Sequence, residues 1–166
     1  MAYLIAAIAL LWYLDPLQAR IKKPPATSAE AKAVQRVNRY AIQIKAAAQA
    51  AGVSPQLLSA IVYVESKGVA AVKRTEPDGR VSYGLTQILC STAQELGFTG
   101  KCIDLFSPSV NLKWGAEYLK SRLNLYGLDL GILSYNTGSP QHDSRGNLYD
   151  PNSYISKVKA AYNYFA

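Results

Sequence analysis

The sequence predicts a mainly α fold with a small β-hairpin or ribbon, an α+β arrangement in which the helices dominate. Three observations predict it. Apolar residues recur at spacings of three and four through most patterned segments, Pro and Gly stand at the ends of those segments, and only the stretch around Glu76-Pro77-Asp78-Gly79 has extended runs on both sides of a turn. No internal repeat or low-complexity run suggests a solenoid or a linker array.

The elements follow in order. Thr27 with Glu30 three residues later is a capping box that opens a helix. Val34, Val37, Ala41, Ile44 and Ala48 carry that helix over residues 28–51 until Gly52. Its other face holds Lys32, Arg36, Arg39 and Gln43, as a solvated outer surface does. Ser54 caps the next helix with Pro55 at its first position, and Leu58, Ile61, Val62 and Glu65 form one stripe before Gly68. Ala71 to Arg74 and Arg80 to Tyr83 make the two strands of the ribbon. Ser91 and Gln94 form a second capping box for a helix to Leu96, and Ser107-Pro108 opens a longer one to Tyr126. A short segment Leu130 to Tyr135 and a helix Ser153 to Phe165 complete the chain.

A chain of 166 residues is about one domain and buries roughly two thirds of the surface its unfolded form exposes. Half of its residues are apolar and 17% are charged, which excludes a disordered, charge-driven polymer. The net charge of +7 comes from scattered Lys and Arg rather than one block. Such a surface suits a polyanion: nucleic acid, an anionic membrane or an acidic cell-wall polymer.

Residues 2–14 are apolar and uncharged, Asp15-Pro16 stop the run, and Arg20, Lys22 and Lys23 follow. The run falls short of the roughly 20 residues a membrane span needs and matches the core of a signal peptide, although its basic residues come after it rather than before. Residues 1–23 are therefore set apart as an N-terminal hydrophobic helix: a signal peptide, a membrane anchor, or a helix that packs in a particle. Residues 24–27, with Pro24-Pro25, are a linker, and residues 28–166 are the folded domain. Cys90 and Cys102 flank a helix and a loop; they are either two buried thiols or one disulfide, which would place the domain in an oxidising compartment.

Several chemistries find no support in the sequence. His142, the only histidine, lies in a polar loop beside Asp143 and is a poor start for a Ser-His-Asp triad. One His and two separated Cys make no zinc spacing, and Asp143 to Asn147 lacks the calcium-loop pattern, so neither metal nor cofactor is expected. The interleaved Tyr and basic residues would stack on nucleic acid bases or on sugars alike, and a polysaccharide cleft is the preferred reading.

Glu65 is the residue that invites chemistry. A carboxylate on the apolar stripe of a helix loses hydration, and its pKa rises toward the range where a general acid works. Ser66, next to it, is expected to bond near the helix end.

Four stretches stand together in order: Glu65-Ser66; Gly84-Leu85-Thr86-Gln87-Ile88; Pro108 to Leu119 with Asn111, Leu112, Gly115 and Tyr118; and Tyr135-Asn136-Thr137-Gly138, with Tyr154 after them. In these the sequence resembles the lytic transglycosylases of the soluble-lytic-transglycosylase (SLT) type, including the small secretion-system and bacteriophage members. The resemblance implies a lysozyme-like fold and a substrate, peptidoglycan glycan strands, cut at the β-1,4 bond between N-acetylmuramic acid and N-acetylglucosamine. Glu65 would be acid and then base. Ser82, Tyr83, Gly84, Gln87, Tyr135, Asn136 and Tyr154 would bind substrate, with Ser82 and Gln87 directed into the cleft, Gly84 allowing close approach, Asn136 standing in a turn, and Tyr154 reaching Glu65. It implies a place in the cell envelope or periplasm beside a secretion or conjugation machine, or in a phage particle. Glu76, Asp78 and Asp104 are the acids that a goose-type lysozyme reading would need as a second carboxylate, and a non-catalytic wall-binding or structural module would need none.

Overall fold

The computed structural model of the chain describes Pro24, Pro25 and residues 27–150 and 153–166. The N-terminal hydrophobic segment 1–23 lies outside the described residues. Helix α1 (Ser28–Asn38) opens on the predicted capping box: Glu30 N donates to Thr27 Oγ1 (3.1 Å), and Thr27 N donates to Glu30 Oε2 (2.9 Å). The single helix expected over 28–51 is in fact two. The chain turns at Arg39 and Tyr40, and α2 (Ala41–Ala51) starts afresh. The break lets Ala33 and Val37 of one helix and Ile44 and Ala48 of the other enter the same core.

Helix α3 (Pro55–Ser66) is packed by α1, α2 and the last helix, so residues 57–63 are buried on successive sides and not along a single apolar stripe. Leu58, Ala60, Ile61 and Val62 are fully buried, and each Leu or Ile so placed contributes about 2 kcal/mol by removal from water. Ser54 Oγ accepts from Leu57 N as expected of a cap, and Pro55 takes the first helical position.

The ribbon gains a third strand. β1 (Lys73–Thr75), β2 (Val81–Tyr83) and β3 (Ile88–Leu89) form an antiparallel sheet in the order β1-β2-β3, with Arg74 opposite Ser82 and Tyr83 opposite Ile88. β3 runs directly into α4 (Cys90–Glu95), which begins one residue before the expected start. Leu89 is its N-cap, without a side-chain bond, so the expected Ser91/Gln94 capping box does not form. A 3-10 helix over Cys102–Phe106 follows, and Cys90 and Cys102 are joined in a disulfide that ties α4 to it.

Helix α5 (Pro108–Thr137) runs from the expected Ser107-Pro108 start, where Ser107 is the N-cap without a side-chain bond to the backbone. Gly127 interrupts it with φ 75° and ψ −170°, a conformation that any side chain would strain, so 108–126 and 128–137 are two helical arms. The expected short segment Leu130 to Tyr135 is part of the second arm. The last helix, α6 (Tyr154–Tyr162), is shorter than predicted: Ser153 is left-handed (φ 55°). Asp150 caps α6, accepting from Tyr154 N (2.7 Å) and Ile155 N (3.3 Å). A second, smaller core of Ile88, Ala93, Phe98 and Leu105 lies beneath the sheet, beside the main one.

Candidate active site

Glu65 occupies the last turn of α3, where the buried helix meets the surface, and is half-buried rather than enclosed. Two adjoining clefts meet at it. One, of about 420 Å3, runs between the ribbon, α4 and α5; the other, of about 430 Å3, lies toward α1 and α6. Glu65, Arg74 and Asn136 line both.

Burial raises the Glu65 pKa above its ordinary value, and the nearby Glu76 carboxylate adds to the rise. The Tyr154 hydroxyl, Arg74 and Lys67 oppose it without cancelling it. Tyr154 donates to Glu65 Oε1 at 2.5 Å. Burial, and then the Glu65 charge, hold the Tyr154 pKa well above the ordinary phenol value, so the hydroxyl keeps its proton and acts as a donor. Tyr135 is buried, with its hydroxyl donating to Thr86 O (3.0 Å), and its pKa is raised by burial first and the Glu65 charge second. A cleft carboxyl whose pKa is raised, with one neutral donor on it, is equipped to give a proton and then take one.

The loop between β2 and β3 is fixed by Asn111. Its Nδ2 donates to Tyr83 O (2.7 Å) and Leu105 O (2.9 Å), and its Oδ1 accepts from Thr86 N and Thr86 Oγ1, both at 2.8 Å. The side chain is fully buried and every one of these bonds is internal, so Asn111 positions the cleft wall rather than entering the cleft. Ser66 also acts within the fold: its hydroxyl lies 2.7 Å from Leu85 O and 3.1 Å from Val62 O, and it accepts from Gly68 N.

A family model described as the transglycosylase SLT domain matches residues 42–152. The chain belongs to this family. It is also similar to the X-ray structure of an inactive mutant of the lytic transglycosylase Slt from Pseudomonas aeruginosa, at 20% identity and a TM-score of 0.53, over 96% of this chain and 26% of that one. The chain thus spans about a quarter of that protein's length, and the likeness shows the shared fold: mainly helical and lysozyme-like, with a small antiparallel sheet.

Of the residues expected to bind substrate, this SLT domain brings Gln87, Tyr135, Asn136 and Tyr154 to the clefts beside Glu65. Three others do not line them. Ser82 is buried behind the ribbon, its hydroxyl 2.9 Å from Glu76 Oε1 and 3.1 Å from Gln87 Oε1, so it holds those two side chains in place. Tyr83 packs its ring edge-on against Phe106 at 5.3 Å, and Asn111 bonds its carbonyl. Gly84 does serve a close approach, but to the interior. A Cβ there would lie 2.4 Å from Asn111 Nδ2 and 2.6 Å from Leu105 O, at a φ of 71° that also requires glycine. Asn136 is exposed in the last helical turn of α5 rather than in a turn; Gly138 takes the positive φ instead.

Sequence reasoning passed over other cleft residues. Tyr118 packs against Tyr135 with ring centres 5.0 Å apart and the rings tilted by 51°, and Arg122, one turn on, covers Tyr118 and donates to Gly138 O (3.0 Å). The signal was there, since 118 and 122 share a helix face. Arg74 reaches both clefts from β1, where only strand register reveals it.

The three acids weighed as second carboxylates separate clearly. Glu76 is half-buried and lines the ribbon-side cleft. Asp78 lines it too, but accepts from Arg80 N (3.0 Å) and pairs with Arg80 Nε at 2.7 Å; those bonds hold its pKa down as a turn-former. Asp104 is exposed, accepts from Lys101 N and lies in neither cleft. His142 is exposed and paired with Leu148 across an isolated β-bridge, and Asp143 accepts from Arg145 N and Asn147 N.

Proposed function

We propose that this SLT domain is a peptidoglycan lytic transglycosylase that cuts the β-1,4 bond between N-acetylmuramic acid and N-acetylglucosamine. One observation carries the reading: Glu65, its pKa raised by burial and its carboxyl bonded by Tyr154, stands where two clefts meet.

The steps follow from one carboxyl. Protonated Glu65 gives its proton to the glycosidic oxygen, the bond from that oxygen to C1 of the muramic sugar breaks, and the departing sugar leaves with a hydroxyl. The N-acetyl carbonyl oxygen of the muramic sugar bonds to C1 and holds the positive charge. Glu65, now charged and steadied by Tyr154, removes the proton of the C6 hydroxyl. That oxygen displaces the acetyl oxygen at C1 and closes a 1,6-anhydro ring, and Glu65 regains the proton it started with. Gln87 and Asn136 offer amides for the sugar, and Tyr135 and Tyr118 form the aromatic wall.

Domain 28–166 carries this activity, and residues 1–23 direct the chain to the cell envelope or tie it to a membrane. There it would open the wall locally for a secretion or conjugation machine, or act from a phage particle. A second reading is favoured by Glu76 sharing the cleft: a goose-type lysozyme in which Glu76 activates water.

Purified wall incubated with the full chain and analysed by mass spectrometry tests the proposal. Anhydro muropeptides, lighter by one water than hydrolysis products and absent with Glu65→Gln, support it. Wall binding without any soluble product would instead make the chain a binding module.

A further inference from the structure

The basic residues are scattered along the chain, but the acids that would offset them are not. Residues 16–64 hold seven Lys and Arg against one acid, Glu30, whereas residues 65–166 hold eleven against nine acids. Most of the net charge of +7 therefore belongs to the first two helices and the stretch before them. On α1, Lys32, Gln35 and Arg39 recur at spacings of three and four and are exposed; on α2, Ile42, Lys45 and Gln49 do the same. Ala33, Val37, Ile44 and Ala48 turn the other faces of these helices into the core. Lys32, Arg39 and Lys45 form no salt bridge among the described residues. Arg36 is engaged elsewhere, its Nε donating to Lys67 O (2.8 Å), and Glu30 accepts from Thr27 N and from the Tyr164 hydroxyl. Ile42, between Arg39 and Lys45, is 85% exposed, more than any other large apolar residue among the described residues.

A basic outer face with a bare apolar side chain in it suits a surface that offers negative charge and an apolar interior together. A nucleic acid or an acidic wall polymer matches the charge but gives Ile42 little to bury against; a bilayer with anionic headgroups matches both. The chain before α1 points the same way, because residues 2–14 are apolar and Arg20, Lys22 and Lys23 follow them. An apolar segment joined to a basic patch is the two-signal combination that holds a chain firmly on anionic lipid, where one signal alone binds weakly. We propose that the outer face of α1 and α2, through Lys32, Arg39, Ile42 and Lys45, docks on the surface of an anionic lipid bilayer. None of these four residues lines either cleft, so the docking does not depend on the proposed wall cleavage.

Flotation of the full chain with two kinds of vesicle tests it, one of phosphatidylcholine alone and one of phosphatidylcholine mixed equally with phosphatidylglycerol. The wild type is expected to favour the mixed vesicles by about thirtyfold at low salt, with the preference falling as salt rises. Lys32→Glu/Arg39→Glu/Lys45→Glu should lower that preference about tenfold or more, and the milder Lys32→Gln/Arg39→Gln/Lys45→Gln part of the way, which keeps the test open if the first variant folds poorly. Ile42→Ser should weaken binding to the mixed vesicles about threefold. Lys101→Glu/Lys113→Glu/Arg145→Glu reverses three exposed charges elsewhere and should keep the wild-type preference. Equal binding of the wild type to both vesicles overturns the inference. So does a preference that survives reversal of Lys32, Arg39 and Lys45, or one that the control reversal removes equally, since net charge and not this face would then carry it. Binding to double-stranded DNA or to purified wall that the same reversal abolishes, with no binding to vesicles, also overturns it and gives the face to another polyanion. The readout is lipid binding and not wall cutting, so each of these failures leaves the transglycosylase reading intact.

Discussion

The Tyr154 hydroxyl lies 2.5 Å from Glu65 Oε1, joining two residues 89 positions apart on α6 and α3. Tyr154 stabilises the charged form of Glu65 and so lowers a pKa that burial has raised. In Tyr154→Phe the opposing effect is gone and the Glu65 pKa rises further. As a general acid, Glu65 then stays protonated to higher pH, so the alkaline limb of the rate profile moves upward. The rate at neutral pH falls about tenfold, because the charged carboxylate that must take the C6 proton has lost its donor. A pH–rate profile of the variant checks both.

Glu65→Gln separates activity from stability. The folded pKa of Glu65 is above its ordinary 4.5, so between those values the folded chain holds a proton that the unfolded chain releases. Stability therefore falls as pH rises from near 4.5 through the folded pKa, and stays lower above it. Gln removes that dependence. The variant is expected to gain on the wild type as pH rises from 4 to 8, in denaturant titrations at each pH.

Asn111→Ala should be among the most damaging single changes outside the clefts. It leaves Tyr83 O, Leu105 O and Thr86 N without their partner in the interior. A loss of about 3–5 kcal/mol is expected in urea unfolding, along with a weakened ribbon-side cleft, because the loop that carries Gln87 is no longer held.

What could be read from the sequence divides along a physical line. Local signals were legible: the Thr27 capping box, the Ser54-Pro55 and Ser107-Pro108 starts, and the Glu76 to Gly79 turn all stand where their chemistry puts them. The break at Arg39-Tyr40 was not, since both halves keep the same spacing and only the packing of Ala33, Val37, Ile44 and Ala48 into one core requires the bend. Strand β3 is two residues long, too short for any periodicity. In the site, the nearness of Glu65 to Tyr154 came from resemblance. That Ser82 and Gly84 are buried and that Tyr83 packs on Phe106 came only from tertiary contacts, because a sequence shows that a residue is constrained and not which neighbour constrains it.

The Cys90–Cys102 disulfide closes a short loop between α4 and the 3-10 helix, next to Leu89 and Thr92 of the ribbon-side cleft. In the chain-entropy account such a loop contributes about 3 kcal/mol. Cys90→Ser/Cys102→Ser, or reduction, should lower the thermal midpoint by several degrees while leaving the far-ultraviolet circular dichroism near native at room temperature.

The most direct test of the central claim, that one carboxylate does all the proton transfer and water stays out, is digestion of wall in water enriched in heavy oxygen. Muropeptides from the wild-type chain should lack one water and carry no heavy oxygen from the solvent, and Glu65→Gln should release none. Heavy oxygen at new reducing ends would contradict it and make Glu76 the base of a hydrolase.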